Sequence, residues 1–225
     1  MSSGRYVATI EVVLKGDNKT GKTAFARRFV LKTYSGWSKD TDYDFYQKEG
    51  VNDKKLILAK IHERPREVIA PDIAYLLYDV TNEKSFQQIQ KYYDETIKDA
   101  KDQNKKVVIV LIGTKADGNA EQEVESKETP PRKITAAQGK ELARKLAIPF
   151  YEVSAKKDIN VDRAFQFGID EACNNLLAAK KSKEIEASAK ALVTIKTRES
   201  ASHTNNLGET PRDQPTLGMR PQSPA

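Results

Sequence analysis

The stretch GDNKTGKT, residues 16–23, follows directly on YVATIEVVLK, an apolar run rich in β-branched residues. A chain that leaves a buried-looking strand, turns on two glycines and a lysine, and then starts a helix has few folds open to it. Gly16 and Gly21 permit backbone conformations that a Cβ obstructs, so the amides of Asp17, Asn18, Lys19 and Thr20 can turn inward around an anion. The next helix, AFARRFVLK, adds unpaired N–H groups and a positive dipole end at Lys22, Thr23 and Ala24. Lys22 can then reach terminal phosphates as a point charge, and Thr23 can offer its hydroxyl to a magnesium ion. Composition alone produces G-x-x-x-x-G-K-[ST] in a chain of this length with a chance on the order of 1%. With a strand before it and a helix after it, a phosphate cradle outweighs a solvated glycine-bounded turn.

Beyond this loop, strand and helix signals alternate. Residues 6–14, 55–61 (KLILAKI), 73–80 (IAYLLYDV), 107–112 (VVIVLI) and 150–153 read as strands. Residues 22–32, 83–98 with Asn82 as cap, 135–146 opening on the capping box T-A-A-Q, and 160 onward read as helices. Continuous apolar strands separated by helices predict an α/β fold with a mainly parallel sheet covered on both faces. Such sheets bind ligands at the carboxyl ends of their strands, where the loops after Lys15, Ile112 and Val153 fall.

Composition removes other classes. The net charge is +6, half of it carried by residues 180–225, with no concentrated basic stripe, so nucleic acid is not an expected partner. Cys173 is the one cysteine, which excludes an internal disulfide. It lies on the apolar stripe Val161, Ala164, Phe165, Ile169, Ala172, Leu176, where a small core residue is expected. His62 and His203 are too isolated for a metal cluster. No window approaches ~18 consecutive apolar residues and MSSGRY lacks a signal-peptide core, so a soluble, cytoplasmic monomer is expected. The apolar pattern fades near Lys180. A solvated helical extension is expected over 178–196, and disorder after Ala201.

After VVIVLI comes G-T-K-A-D, residues 113–117, and after PFYEV comes S-A-K, residues 154–156. The phosphate loop, [NT]-K-x-D and S-A-K in this order resemble the Ras superfamily of small GTPases, and YDVTNEKSFQQI and IPFYEVSAKKDINVDRAF resemble its Rab branch most. The resemblance covers roughly residues 6–178 as one GTPase domain and leaves 179–225 as extension and tail. It implies the P-loop small-GTPase fold, a mostly parallel six-stranded sheet with helices on both faces. It implies GTP or GDP as ligand, with magnesium held by Thr23 and Thr41. Asp117 would accept hydrogen bonds from guanine's ring N–H and exocyclic amine, a donor pair that adenine lacks. Lys115 would lay its stem on the base, Ala155 after Ser154 would offer its N–H to the guanine oxygen, and Lys156 would pack more weakly. Thr114 stands where most of the family has asparagine, as in the Rho branch. Tyr34 sits where an aromatic commonly stacks on guanine. Thr41 has the spacing of the switch-I threonine that senses the γ-phosphate, inside the polar stretch GWSKDTD, through which effectors or regulators would bind. Catalysis would fall to Lys22 and Thr41.

The resemblance breaks at the third strand. Where the family has D-x-x-G-Q, this chain has H-E-R-P-R-E-V: Glu63 takes the aspartate's register, and neither glycine nor glutamine follows. From Glu63 to Asp79 the chain is also shorter than typical Rabs by roughly ten residues, so the switch-II helix is expected to be mostly deleted. Glu67 could orient water only if the short loop brings it near. Asn18 and Lys19 replace small residues beside the terminal phosphates, the first in the path of an arginine finger and the second adding positive charge. No cysteine follows Cys173, so no prenyl anchor is expected, and any membrane association would be peripheral and through partners. A divergent member of a cell's own set and a mimic delivered into a host cell by a pathogen both fit. Slow hydrolysis is the expectation, with a catalytically degenerate binding or scaffold protein as alternative. A P-loop kinase or ATPase using Asp79 as its metal carboxylate leaves TKAD and SAK unexplained.

Overall fold

The computed structural model describes residues 8–34, 45–52, 55–63, 71–117 and 130–204. In chain order the elements are β1 (Ala8–Lys15), α1 (Lys22–Leu31), β2 (Phe45–Asn52), β3 (Lys55–His62), β4 (Ile73–Asp79), α2 (Glu83–Gln87), α3 (Ile89–Asp102), β5 (Val108–Thr114), α4 (Ala136–Leu146), β6 (Phe150–Glu152) and α5 (Val161–Thr204). One six-stranded sheet takes the order β2-β3-β1-β4-β5-β6. Among the described strands every pairing is parallel except β2 against β3.

The sheet is parallel because its strands are apolar on both sides. All seven residues of β4 are buried, and alternate side chains enter opposite layers. Ile73, Tyr75 and Leu77 pack with Phe25, Phe29 and Phe165 from α1 and α5. Ala74, Leu76 and Tyr78 pack with Ile89 and Ala143 from α3 and α4. Phe29 and Phe165 stack with centroids 4.0 Å apart, locking α1 to the first turns of α5. Cys173 is buried in the same layer, as its stripe predicts.

Three features depart from the sequence reading. The sixth strand, β2, reads FYQKEGVN, too polar and interrupted by glycine for periodicity to single it out; among the described residues its only ladder is the antiparallel one with β3. The helix expected over 83–98 is two helices. Asn82 caps α2 through Lys84 N–H (3.1 Å), and the backbone turns at Gln88 before α3 begins. That break lets Phe86 meet the Tyr78 ring edge-on while Ile89, Thr96 and Ala100 face the sheet. Finally, α5 runs to Thr204, past the Ala201 at which the composition turns. The disorder expected for 205–225 lies outside the described residues. The described chain falls into two compact units, one up to Leu177 and one from Ala178, and in the second the side chains of 178–190 are exposed. Among the described residues no helix is long and apolar enough to cross a membrane.

Candidate functional site

The loop after β1 is shaped by contacts that only glycine tolerates. A Cβ on Gly16 would lie 2.4 Å from the Leu77 carbonyl oxygen of β4. Gly21, with φ 91°, is the left-handed N-cap of α1 and brings no side-chain acceptor, so the first N–H groups of α1 are left for an anion. Within the turn the Thr20 hydroxyl donates to Asp17 O (2.9 Å). Lys22 is 8% exposed and folds back over the loop, its ammonium 2.8 Å from both Gly16 O and Asp17 O. Asn18 and Lys19 are exposed at the rim, Lys19 with φ 66°.

Thr23, one residue into α1, donates its hydroxyl to Glu63 Oε1 at 2.5 Å. Glu63 follows the end of β3 and is only 8% exposed. A hydroxyl and a carboxylate beside a phosphate cradle form a hard-oxygen donor set, which suits magnesium. The sequence placed Glu63 by register but gave it no metal role. Glutamate reaches one methylene further than the aspartate of the family pattern, and here that reach brings it onto Thr23. Thr41 and Glu67 lie outside the described residues, as does the segment over 64–70 where a shortened switch II is expected.

The second loop cluster forms at the ends of β5 and β6. Thr114 is buried, and its hydroxyl lies 2.6 Å from Thr20 O and 2.9 Å from Tyr78 O, so its one proton ties the end of β5 to the phosphate loop or to β4. The threonine that departs from the family's asparagine thus still links two loops. Lys115 is left-handed (φ 60°), and its ammonium sits 2.6 Å from Asp79 Oδ2. Asp79 also accepts from Thr81 N–H and hydroxyl, which occupies the carboxylate that an ATPase reading would need for metal. The Ser154 hydroxyl donates to Asp117 Oδ1 while accepting from Lys157 N–H, and the Lys157 ammonium reaches Asp117 O at 2.5 Å. Asp117 is therefore held by the residue just before Ala155. Lys156 is exposed, and Tyr34 is 44% exposed after the end of α1.

Two positioning contacts carry no local sequence signal. Arg28 of α1 reaches the carbonyls of Ala155 and Lys156. Tyr92 of α3 donates its hydroxyl to Asp17 Oδ1 at 2.7 Å, and Asp99, two turns further along α3, pairs with Lys15, so α3 braces the start of the loop after β1. Burial, then the bond to Asp17, pushes the Tyr92 phenol up to about 12. Tyr78 is also raised, by burial first and then the Glu152 carboxylate, and its hydroxyl has no partner among the described residues.

The Ras family model matches residues 11–174. The chain is 35% identical over 175 residues to human Ras-related protein Rab-37, covering 72% of this chain and 73% of the relative. It is 31% identical over 176 residues to the Ypt/Rab-type GTPase avaA of Emericella nidulans, covering 73% and 82%. It is 30% identical over 177 residues to the Ras-like protein rasW of Dictyostelium discoideum, covering 73% and 76%. With the phosphate loop after β1, TKAD after β5 and SAK after β6 on one parallel sheet, the chain belongs to the Ras family as a Rab-like GTP-binding switch protein.

Proposed function

We propose that this chain binds GTP and GDP with magnesium, presents a nucleotide-dependent surface around Thr41 to effectors or regulators, and hydrolyses GTP slowly. The observation that carries the reading is the gathering of Lys22, Thr23 and Glu63 with Lys115, Asp117, Ser154 and Ala155 at the carboxyl ends of β1, β3, β5 and β6. Phosphates would take the amides from Asp17 to Ala24, with Lys22 turning its ammonium from the loop carbonyls to the terminal phosphates. Asn18 and Lys19 would edge that end. Guanine would lie between Lys115 and Tyr34, read by Asp117 and by the Ala155 N–H, with Lys156 packing outside. Bound magnesium would neutralise phosphate charge, held by Thr23, Glu63 and Thr41.

Water attack on the γ-phosphate then depends on groups that the chain supplies sparsely. Lys22 stabilises the developing charge, but neither glycine nor glutamine follows Glu63, so nothing in D-x-x-G-Q register orients the water. Slow turnover follows. Purified chain should carry guanine nucleotide, identified by chromatography after release, and should free phosphate from added GTP over hours rather than minutes. A chain that arrives empty and ignores GTP with magnesium overturns the reading and restores the scaffold alternative. Glu67→Gln separates a short loop that can reach the water, where hydrolysis rises, from one that cannot.

A further inference from the structure

Asp79 closes β4 with its side chain 7% exposed, and it takes no part in the chemistry proposed above. Each of its polar atoms is engaged. Its N–H donates to Ser85 Oγ at 3.0 Å, and its C=O accepts from the Asn82 N–H at 2.9 Å. Its Oδ1 accepts from the Thr81 N–H at 2.9 Å and from the Thr81 hydroxyl at 2.8 Å, which fixes the direction of the carboxylate. Its Oδ2 meets the Lys115 ammonium at 2.6 Å. Asp79 is opposite Thr114 in the β4–β5 ladder, so the next residue, Lys115, starts beside it. Lys115 turns off the strand with φ 60°, and its side chain keeps 42% of its surface exposed while its tip is held. A long, flexible side chain is thus pinned at its Cα and at its ammonium, with an open flank between them.

On the reading proposed above, on which this inference rests, guanine lies against that flank. We propose that Asp79 is a positioning residue for base binding: its carboxylate tethers the Lys115 ammonium so that the methylene stem stands ready as a platform for the ring, without touching the nucleotide itself. Lysine has one of the larger rotamer entropies among side chains, and a free stem must be ordered when the base arrives. A tether already formed in the fold removes that cost from binding. The platform packs on the face of the ring and reads none of its edge groups. Its loss should therefore weaken guanine and hypoxanthine nucleotides by the same factor. A displaced Asp117 would instead weaken chiefly the ligand that carries the exocyclic amine.

The test compares full-length wild-type, Asp79→Asn, Lys115→Met and doubly substituted chains for binding of GDP and of inosine diphosphate, which keeps the ring N–H and oxygen but lacks the amine. Asparagine keeps the shape and an oxygen for Thr81 while removing the charge that holds Lys115. Methionine keeps an unbranched stem without the ammonium. Asp79→Asn should lose about threefold to tenfold for both ligands, the order of one rotamer-rich side chain left to be fixed on binding. In the Lys115→Met background the same substitution should change either affinity by less than about twofold, because no ammonium remains to tether. Unchanged GDP binding in Asp79→Asn, a loss confined to GDP, or an undiminished loss in the Lys115→Met background overturns the proposal. If Lys115→Met does not fold, its Asp79 carboxylate being left unpaired, the double variant is set against Asp79→Asn: affinities within about twofold uphold the proposal and a further loss overturns it. If Asp79→Asn does not fold, Lys115→Met must itself fall about threefold to tenfold below wild type for both ligands and the double variant must match it; any other result overturns the proposal. A wild-type chain that binds neither ligand sinks the guanine reading and this proposal with it, whereas wild-type binding left unchanged by Asp79→Asn sinks this proposal alone.

Discussion

The two ends of the proposed nucleotide site are built differently. On the reading proposed above, the groups of the base end are each paired to a neighbour: Asp117 to Ser154, Lys115 to Asp79, Thr114 to Thr20 or Tyr78, and the S-A-K carbonyls to Arg28. At the terminal-phosphate end, Lys22 and the Thr23–Glu63 pair are in place, but the sequence past Glu63 lacks the family's glycine and glutamine. On that reading recognition and turnover would draw on separate parts of the sheet rim, so one can be kept while the other is rebuilt. Preorganised partners at the base end reduce the ordering cost of binding. On the proposed reading, missing water-positioning groups would slow the chemistry without weakening the grip.

The largest expected effect breaks the base end. Asp117→Ala should weaken guanine nucleotides by about a thousandfold or more and erase preference over adenine, because a buried polar pair is left unmatched. A fluorescent-GDP titration checks it, and retained preference would mean that another group reads the base. Gly16→Ala strikes the seam between the two ends: the added Cβ collides with Leu77 O, so stability should fall by about 1–3 kcal/mol in a urea titration. Unchanged stability would show that the loop has slack to move away from β4. Thr23→Asn sharpens the contrast from the other side. It should lower affinity for GTP relative to GDP by about tenfold in magnesium and leave base selectivity intact. Equal loss for both nucleotides would falsify a metal role for Thr23.

Tyr92→Phe should have the smallest effect. Loss of its bond to Asp17 should cost about 0.5–1.5 kcal/mol, toward the low end because water can reach the half-buried site. Its pH signature is more diagnostic. The folded phenol is raised from 10.0 to about 12, so its contribution is complete below pH 10 and disappears as pH rises toward 12. The variant should lack that part of the alkaline decline. Stability curves that coincide between pH 10 and 12 would place the alkaline loss on other tyrosines, such as Tyr75 and Tyr78.

What the sequence made legible is what chemistry writes locally. Gly16, Gly21 and Lys22 announce the loop because close approach to β4 and a left-handed cap tolerate few alternatives. The central strands announce themselves because both faces are buried, leaving an unbroken apolar run. Strand β2 stayed hidden because an edge strand can carry Gln47, Lys48 and Glu49. Arg28 and Tyr92 stayed hidden because their partners lie 127 and 75 positions away, and a helix face names no distant carbonyl. Glu63 was half legible: register gave its place, and only the folded chain shows its carboxylate against Thr23.

The position of β1 between β3 and β4 also sets a schedule for synthesis. The first strand made must wait for both of its edges to be satisfied, because its second neighbour ends only at Asp79. At ~5–20 residues per second, the interval from Lys15 to Asp79 leaves an apolar strand with open edges for roughly 3 to 13 seconds. During that window VATIEVVL is a template for mispairing with other nascent chains. A ribosome stalled before residue 79 should therefore present a segment that chaperones hold, and release of that hold should coincide with the emergence of β4.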